Sequence, residues 1–286
     1  MDRKKLYFTA AGVGAGLLVR SALQRPRGEN LYGKVVLITG GAHALGLPLA
    51  RAFAAEGSRL ASCDRDQAQL EVARRQLEGP GTRVFAVRCD VTNPAQVDGM
   101  AEAVLEHYGG IDVLVNNACA PEPSAAEEMA LADFEQAMEA IFWGVVYPTR
   151  AVLPHMLERR AGRIVNITSE NGHLAPSQVW PQDCARFAAI GFSEGLRSEV
   201  LARGISVVTI APQRLSIEQS RAARQIVTAT LRGEANGISP RHESKFRDLL
   251  GGFLPPPTEG RSPSQTPIMS ALSVLGRMAA RRYLQP

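Results

Sequence analysis

The chain has almost no lysine. Of its 32 basic residues only Lys4, Lys5, Lys34 and Lys245 are lysines, and none lies between positions 35 and 244. A genome composition that favours arginine is a sufficient cause. The consequence is chemical: the middle of the chain offers no ammonium group for catalysis. Tyrosine is scarce as well, and of five only Tyr283 lies beyond Tyr147. The four cysteines, Cys63, Cys89, Cys119 and Cys184, are far apart, with no C-x-x-C spacing and no Cys/His cluster. This excludes a zinc site or other metal centre of that type and a disulfide framework, and it suits a reducing compartment. A long apolar run is also missing near the start. The uncharged stretch Leu6–Val19 rises about 21 Å as a helix, against a hydrocarbon core of about 30 Å. Extension to Leu23 with Arg20 snorkelling gives about 27 Å, and Val19-Arg20-Ser21 makes a poor signal-cleavage site.

What remains is an ordinary globular composition, 45% hydrophobic and 21% charged over 286 residues, enough for one full core. The formal charge of +4 is unevenly spread. Residues 1–33 hold six basic and two acidic side chains, and 261–286 hold Arg261, Arg277, Arg281 and Arg282 with no acid, so the stretch between them is acidic. A nucleic-acid binder would carry its positive charge on the folded body, and that class is set aside. Basic ends on an acidic body suit an anionic membrane surface on the cytoplasmic side. Four parts follow: an apolar and basic N-terminal segment (1–30), a folded body (31–250), a Pro-rich linker (251–267) and a basic amphipathic helix (268–286). The last presents Ile268, Met269, Leu272, Leu275 and Met278 on one face, to pack on the body or touch a bilayer.

Within the body, short apolar runs alternate with helical patterns. Strands are expected at Val35–Thr39, Arg59–Cys63, Arg83–Arg88, Ile111–Val115, Arg163–Ile167 and Ile205–Ile210. Helices are expected at Leu45–Glu56, Gln67–Leu77, Pro94–Tyr108, in two stretches of Ala130–Met156, at Ala185–Ala202 and at Ser216–Leu231. Such alternation predicts a single α/β domain, a Rossmann-like doubly wound parallel sheet with ligands at the carboxyl ends of its strands. The turn Thr39-Gly40-Gly41-Ala42-His43-Ala44-Leu45-Gly46 joins the first strand to the first helix, where free backbone amides can take a pyrophosphate. Asp64, ending the second strand, can accept from a ribose 2′-hydroxyl and repels a 2′-phosphate, which favours NAD(H) over NADP(H). Arg65 beside it could bind that phosphate.

These motifs resemble the short-chain dehydrogenase/reductase family over roughly residues 31–213. The matching residues are Thr39-Gly-x-x-x-x-x-Gly46, Asp90-Val91-Thr92, Asn116-Asn117-Ala118 and Gly162-Arg163-Ile164-Val165-Asn166-Ile167-Thr168-Ser169. The resemblance implies a nicotinamide dinucleotide as partner. It also implies contacts from Thr39, Gly40, His43, Leu45, Gly46, Asp64, Arg65, Asp90, Val91, Asn116 and Ala118. The family's middle glycine is Ala44 here, and its glycine after Asn-Asn-Ala is Cys119.

Family members use a Ser, a Tyr, a Lys four residues after the Tyr, and a supporting Asn. Ser169 stands at the family's Ser position. The Tyr, Lys and Asn positions align with Gln182, Arg186 and Ile141. A glutamine is no acid, and an arginine keeps the charge in a different shape. Ser169, His173 and Asp183 have the residue types of an acid/base set, although His173 reads better as a loop surface residue. The segment that covers the substrate in the family is nearly absent after Pro212. Three readings follow. The chain is a nucleotide-binding relative with a degraded site, an active oxidoreductase with non-standard residues, or a scaffold that pairs with itself or with a relative.

Overall fold

The computed structural model describes residues 30–42, 45–79, 82–117, 130–168, 180–233 and 236–237. The N-terminal segment, His43, Ala118, Ser169, His173, the Pro-rich linker and the C-terminal basic segment lie outside them. Seven parallel strands form one sheet in the order β3-β2-β1-β4-β5-β6-β7. They are β1 (Val35–Thr39), β2 (Arg59–Asp64), β3 (Val84–Arg88), β4 (Val113–Asn116), β5 (Gly162–Ile167), β6 (Ile205–Ile210) and β7 (Asn236–Gly237). The helices are α1 (Gly46–Ala55), α2 (Gln67–Leu77), α3 (Pro94–Tyr108), α4 (Leu131–Ala137), α5 (Gly144–Arg159), α6 (Trp180–Val200) and α7 (Gln219–Arg232). The strand order reverses between β1 and β4, so the switch point of the doubly wound sheet opens at their carboxyl ends.

The period of two in β1 builds both layers of the core. Val36 and Ile38 face Leu49 and Phe53 of α1 and Ala223 and Ile226 of α7. Val35 and Leu37 face Val97, Met100 and Val104 of α3 and Val152 and Met156 of α5. All four strand residues are fully buried, which is why the run reads as continuously apolar.

Local signals fix several boundaries. The Asp66 carboxylate accepts from the Ala68 and Gln69 N–H groups at the start of α2. The Asn93 side chain does the same for Gln96 at the start of α3, where Pro94 occupies the first turn. Three features depart from the sequence expectation. Helix α6 begins at Trp180, five residues before the expected Ala185, because Pro181 sits in a first turn where no N–H is needed. The expected pair of helical stretches over 130–156 is joined by a wider π-helical turn, Met138–Trp143. That turn runs directly into α5 at Gly144, and α5 carries Pro148 and Pro154 within its length. The short edge strand β7, absent from the sequence reading, pairs with β6.

Candidate dinucleotide site at the carboxyl edge

Backbone geometry defines the turn after β1. Gly40 adopts φ +62°, a left-handed conformation that favours glycine. A Cβ on Gly46 would lie 2.2 Å from the Gly40 carbonyl oxygen, and one on Gly41 would lie 1.8 Å from Ser62 Oγ. Both positions therefore keep helix α1 and strand β2 pressed against the turn. Side chains from two other strands brace it. Thr39 Oγ1 accepts from the Asn117 N–H at 3.0 Å. Asn117 Nδ2 donates to the Thr39 and Gly40 carbonyls at 3.2 and 3.0 Å. Asp64 is buried at the end of β2; its Oδ2 accepts from the Ala42 N–H at 3.1 Å and its Oδ1 from the Asp66 N–H at 3.2 Å. Arg65 is exposed next to it. Asp90 holds its own turn, Oδ1 accepting from the Thr92 N–H and hydroxyl at 3.0 and 2.9 Å, with half-buried Val91 between them. Leu45 is buried just ahead of α1. These residues fit the adenosine and pyrophosphate half of a dinucleotide. The glycine turn has no room for added side chains, and Asp64 holds it from the end of β2.

The Asn116 side chain belongs to a buried network. Its Nδ2 donates to Thr149 Oγ1 at 3.1 Å and to Asn166 Oδ1 at 2.8 Å. Asn166 Nδ2 donates to Ser193 Oγ at 2.7 Å, and Ser193 donates to the Ala189 carbonyl at 2.6 Å. This buried chain ties β4 to β5, α5 and α6. Sequence reasoning singled out Asn116 as a cofactor contact and missed Thr149 and Ser193, because spacing does not say which way a strand-end side chain turns. Asn117, the neighbour in the same motif, is the residue that grips the cofactor turn.

Between β2 and β3 the Cys63 thiol hydrogen-bonds the Cys89 sulfur. With burial, this pushes Cys63 well above the ordinary thiol value, while the same bond lowers Cys89. Both are free cysteines.

The other half of the edge is the first turns of α6. Gln182 and Arg186 lie one turn apart on this helix, as the spacing requires. Gln182 is 7% exposed, and its Oε1 is buried without a hydrogen-bond partner among the described residues. Arg186 Nη1 forms an ion pair with Asp183 Oδ1 at 3.0 Å, both side chains being less than one-fifth exposed. Ile141, half-buried, lies in the π-helical turn packed against α6. Among the described residues no group of three or more His, Cys, Asp or Glu side chains could hold a metal ion.

The strand order, the glycine turn and the carboxylate that ends β2 together define a Rossmann-type dinucleotide-binding protein. Residues 34–225 match the short chain dehydrogenase family model, and the chain belongs to that family of oxidoreductases. It is 35% identical to a D-threitol dehydrogenase of Mycolicibacterium smegmatis over 64% of this chain and 70% of that protein. It is 32% identical to a putative ketoacyl reductase of Streptomyces coelicolor over 67% of this chain and 74% of that one. Among solved structures, an NAD+-bound xylitol dehydrogenase superposes with a TM-score of 0.61 at 28% identity, covering 64% of this chain and 71% of that one.

Proposed function

We propose that the chain binds a nicotinamide dinucleotide, NAD(H) in preference to NADP(H), and transfers hydride little or not at all. A bound dinucleotide supplies a hydride donor or acceptor at its nicotinamide ring. The turn Gly40–Ala42 and the start of α1 would hold the pyrophosphate, and Asp64 would accept from the adenosine ribose. The observation that carries the reading is the pairing on α6. Resemblance to the family puts the proton-donating Tyr at Gln182 and its Lys at Arg186. The Gln182 amide has no titratable proton at working pH. The Arg186 charge is neutralised by Asp183 at 3.0 Å, so it is spent inside its own helix. Eight residues, 211–218, separate β6 from α7, too short a connection for a long substrate cover.

Calorimetric titration with NADH and NADPH tests the binding half, and nicotinamide absorbance with alcohols tests the chemistry. Micromolar binding of NADH with no turnover is the expected outcome. Failure to bind either dinucleotide overturns the cofactor assignment and leaves a scaffold. Robust oxidation of any alcohol overturns the degraded site and establishes the second reading, an active enzyme. Similarity to the D-threitol and xylitol dehydrogenases favours that second reading and makes polyols the first substrates to assay. The same proposal has the chain pairing with itself or with an active relative through α5 and α6. On these helices Phe187 is exposed, and the rings of Trp143 and Tyr147 stack half-buried beside them. A monomeric mass at micromolar concentration removes that part.

A further inference from the structure

The parallel topology gathers charges at the edge of the sheet opposite the dinucleotide site. Lys34 precedes β1, Arg59 opens β2, Arg83 precedes β3, Arg159 and Arg160 precede β5, and Arg203 precedes β6. All six are exposed. The acids among the same connections are Glu56, Glu78 and Asp112. Glu78 is paired with Arg74 at 2.6 Å. Asp112 is shared by Lys34 at 3.6 Å and Arg159 at 3.1 Å. Arg83, Arg160 and Arg203 have no ion-pair partner among the described residues. The last helical turns at this edge add Arg74, Arg75, Arg197 and Arg232 against Glu106, Glu158 and Glu199, and Glu234 in the sequence ahead of β7 offsets Arg232, which leaves the positive excess unchanged. The body as a whole is acidic, so this edge stands against the sign of the rest of the domain. Two large apolar side chains are also left in water here, Tyr32 at 77% and Leu201 at 66% exposure. The basic and apolar segment 1–30 joins the domain at this edge, directly ahead of Tyr32.

We propose that this amino-terminal edge docks on an anionic lipid surface. The arginines would meet lipid headgroups, and Tyr32 and Leu201 would enter the interface. Each basic side chain near an anionic surface strengthens binding about fivefold. A nucleic acid would also attract the arginines, but it offers nothing to Tyr32 and Leu201. Strands of five or six residues then hold the dinucleotide site roughly 20 Å above the lipid, facing water. Ligands of the site would therefore arrive from solution rather than from the bilayer.

The test is sedimentation of the full chain with phosphatidylcholine vesicles, with and without phosphatidylserine, at low and high salt. Binding is expected only with phosphatidylserine and is expected to weaken with salt. The triple variant Arg83→Gln/Arg160→Gln/Arg203→Gln is expected to lose about a hundredfold in partitioning. The charge-matched variant Arg65→Gln/Arg88→Gln/Arg224→Gln, altered at the opposite edge and on α7, is expected to change it no more than a few fold. Thermal melts of both variants verify that each is folded. Equal losses in the two variants, indifference to phosphatidylserine, or tighter retention by a nucleic-acid duplex than by anionic vesicles would each overturn the proposal.

Discussion

The turn after β1 and the first turns of α6 sit on the same edge of the same sheet, and their polar groups are arranged for different ends. At the turn, Thr39, Asn117 and Asp64 converge from three strands on the backbone of residues 39–42 and hold it in place. On α6, Gln182 is buried with no partner for its carbonyl among the described residues, and Arg186 faces Asp183. Binding a phosphate requires backbone donors in a fixed shape, which any residue set that preserves the turn can provide. Proton transfer requires a particular titratable group at a particular place. A chain can lose the second and keep the first, and the proposed function, dinucleotide binding with little or no hydride transfer, has that form.

The comparison can be broken most forcefully at the turn. Gly46→Val would drive two methyl groups toward the Gly40 carbonyl, since even a Cβ would sit 2.2 Å away. Dinucleotide affinity is expected to fall more than about a hundredfold, measured by NADH titration. Asn166→Leu comes next. It strips one acceptor from Asn116 and the donor from Ser193, both buried, and is expected to cost about 3 kcal/mol, read as a drop in Tm of roughly 6–10 °C. Asp64→Asn keeps an acceptor for the Ala42 N–H and removes the charge. It is expected to shift the ratio of NADPH to NADH affinity about tenfold toward NADPH in competitive titrations. Gln182→Met sharpens the contrast with Asn166. Removing a buried acceptor that has no partner is expected to leave stability unchanged or raise it by about 1 kcal/mol in the same melts.

The smallest effect is expected at the far edge. Burial pushes the Asp112 carboxyl up, but the Val35 N–H and the charges of Lys34 and Arg159 outweigh it and hold the pKa below the ordinary 3.8. A depressed carboxylate pKa contributes stability above the unfolded value, and that stability is lost as pH falls through the folded one. Asp112→Asn should therefore flatten the dependence of Tm on pH in the range just below 4 and leave dinucleotide binding untouched.

Much of the nucleotide half was legible in the sequence because its signals are local. The apolar run Val35–Thr39 marks a strand buried on both faces. Asp66 and Asn93 mark helix starts through their own side-chain caps, and Gly109 at φ +75° closes α3 where expected. The start of α6 was less legible, because Pro181 can either break a helix or open one, and only the packing decides which. Strand β7 has two residues, too few for any pattern. The role of Asn116 was illegible: its partners Thr149 and Asn166 lie 33 and 50 residues away.

The sequence by itself determined the alternation of strands and helices, the glycine turn, the carboxylate that follows β2, and the absence of any lysine or tyrosine that could serve α6. These are properties of a residue and its near neighbours. The tertiary structure decided what each polar group faces: Asp183 for Arg186, no partner for the Gln182 carbonyl, and a buried chain from Asn116 to Ser193. It also placed six cations, scattered from Lys34 to Arg203, along one edge. A parallel sheet with right-handed crossovers sends every strand the same way, and so collects residues far apart in sequence at its two ends.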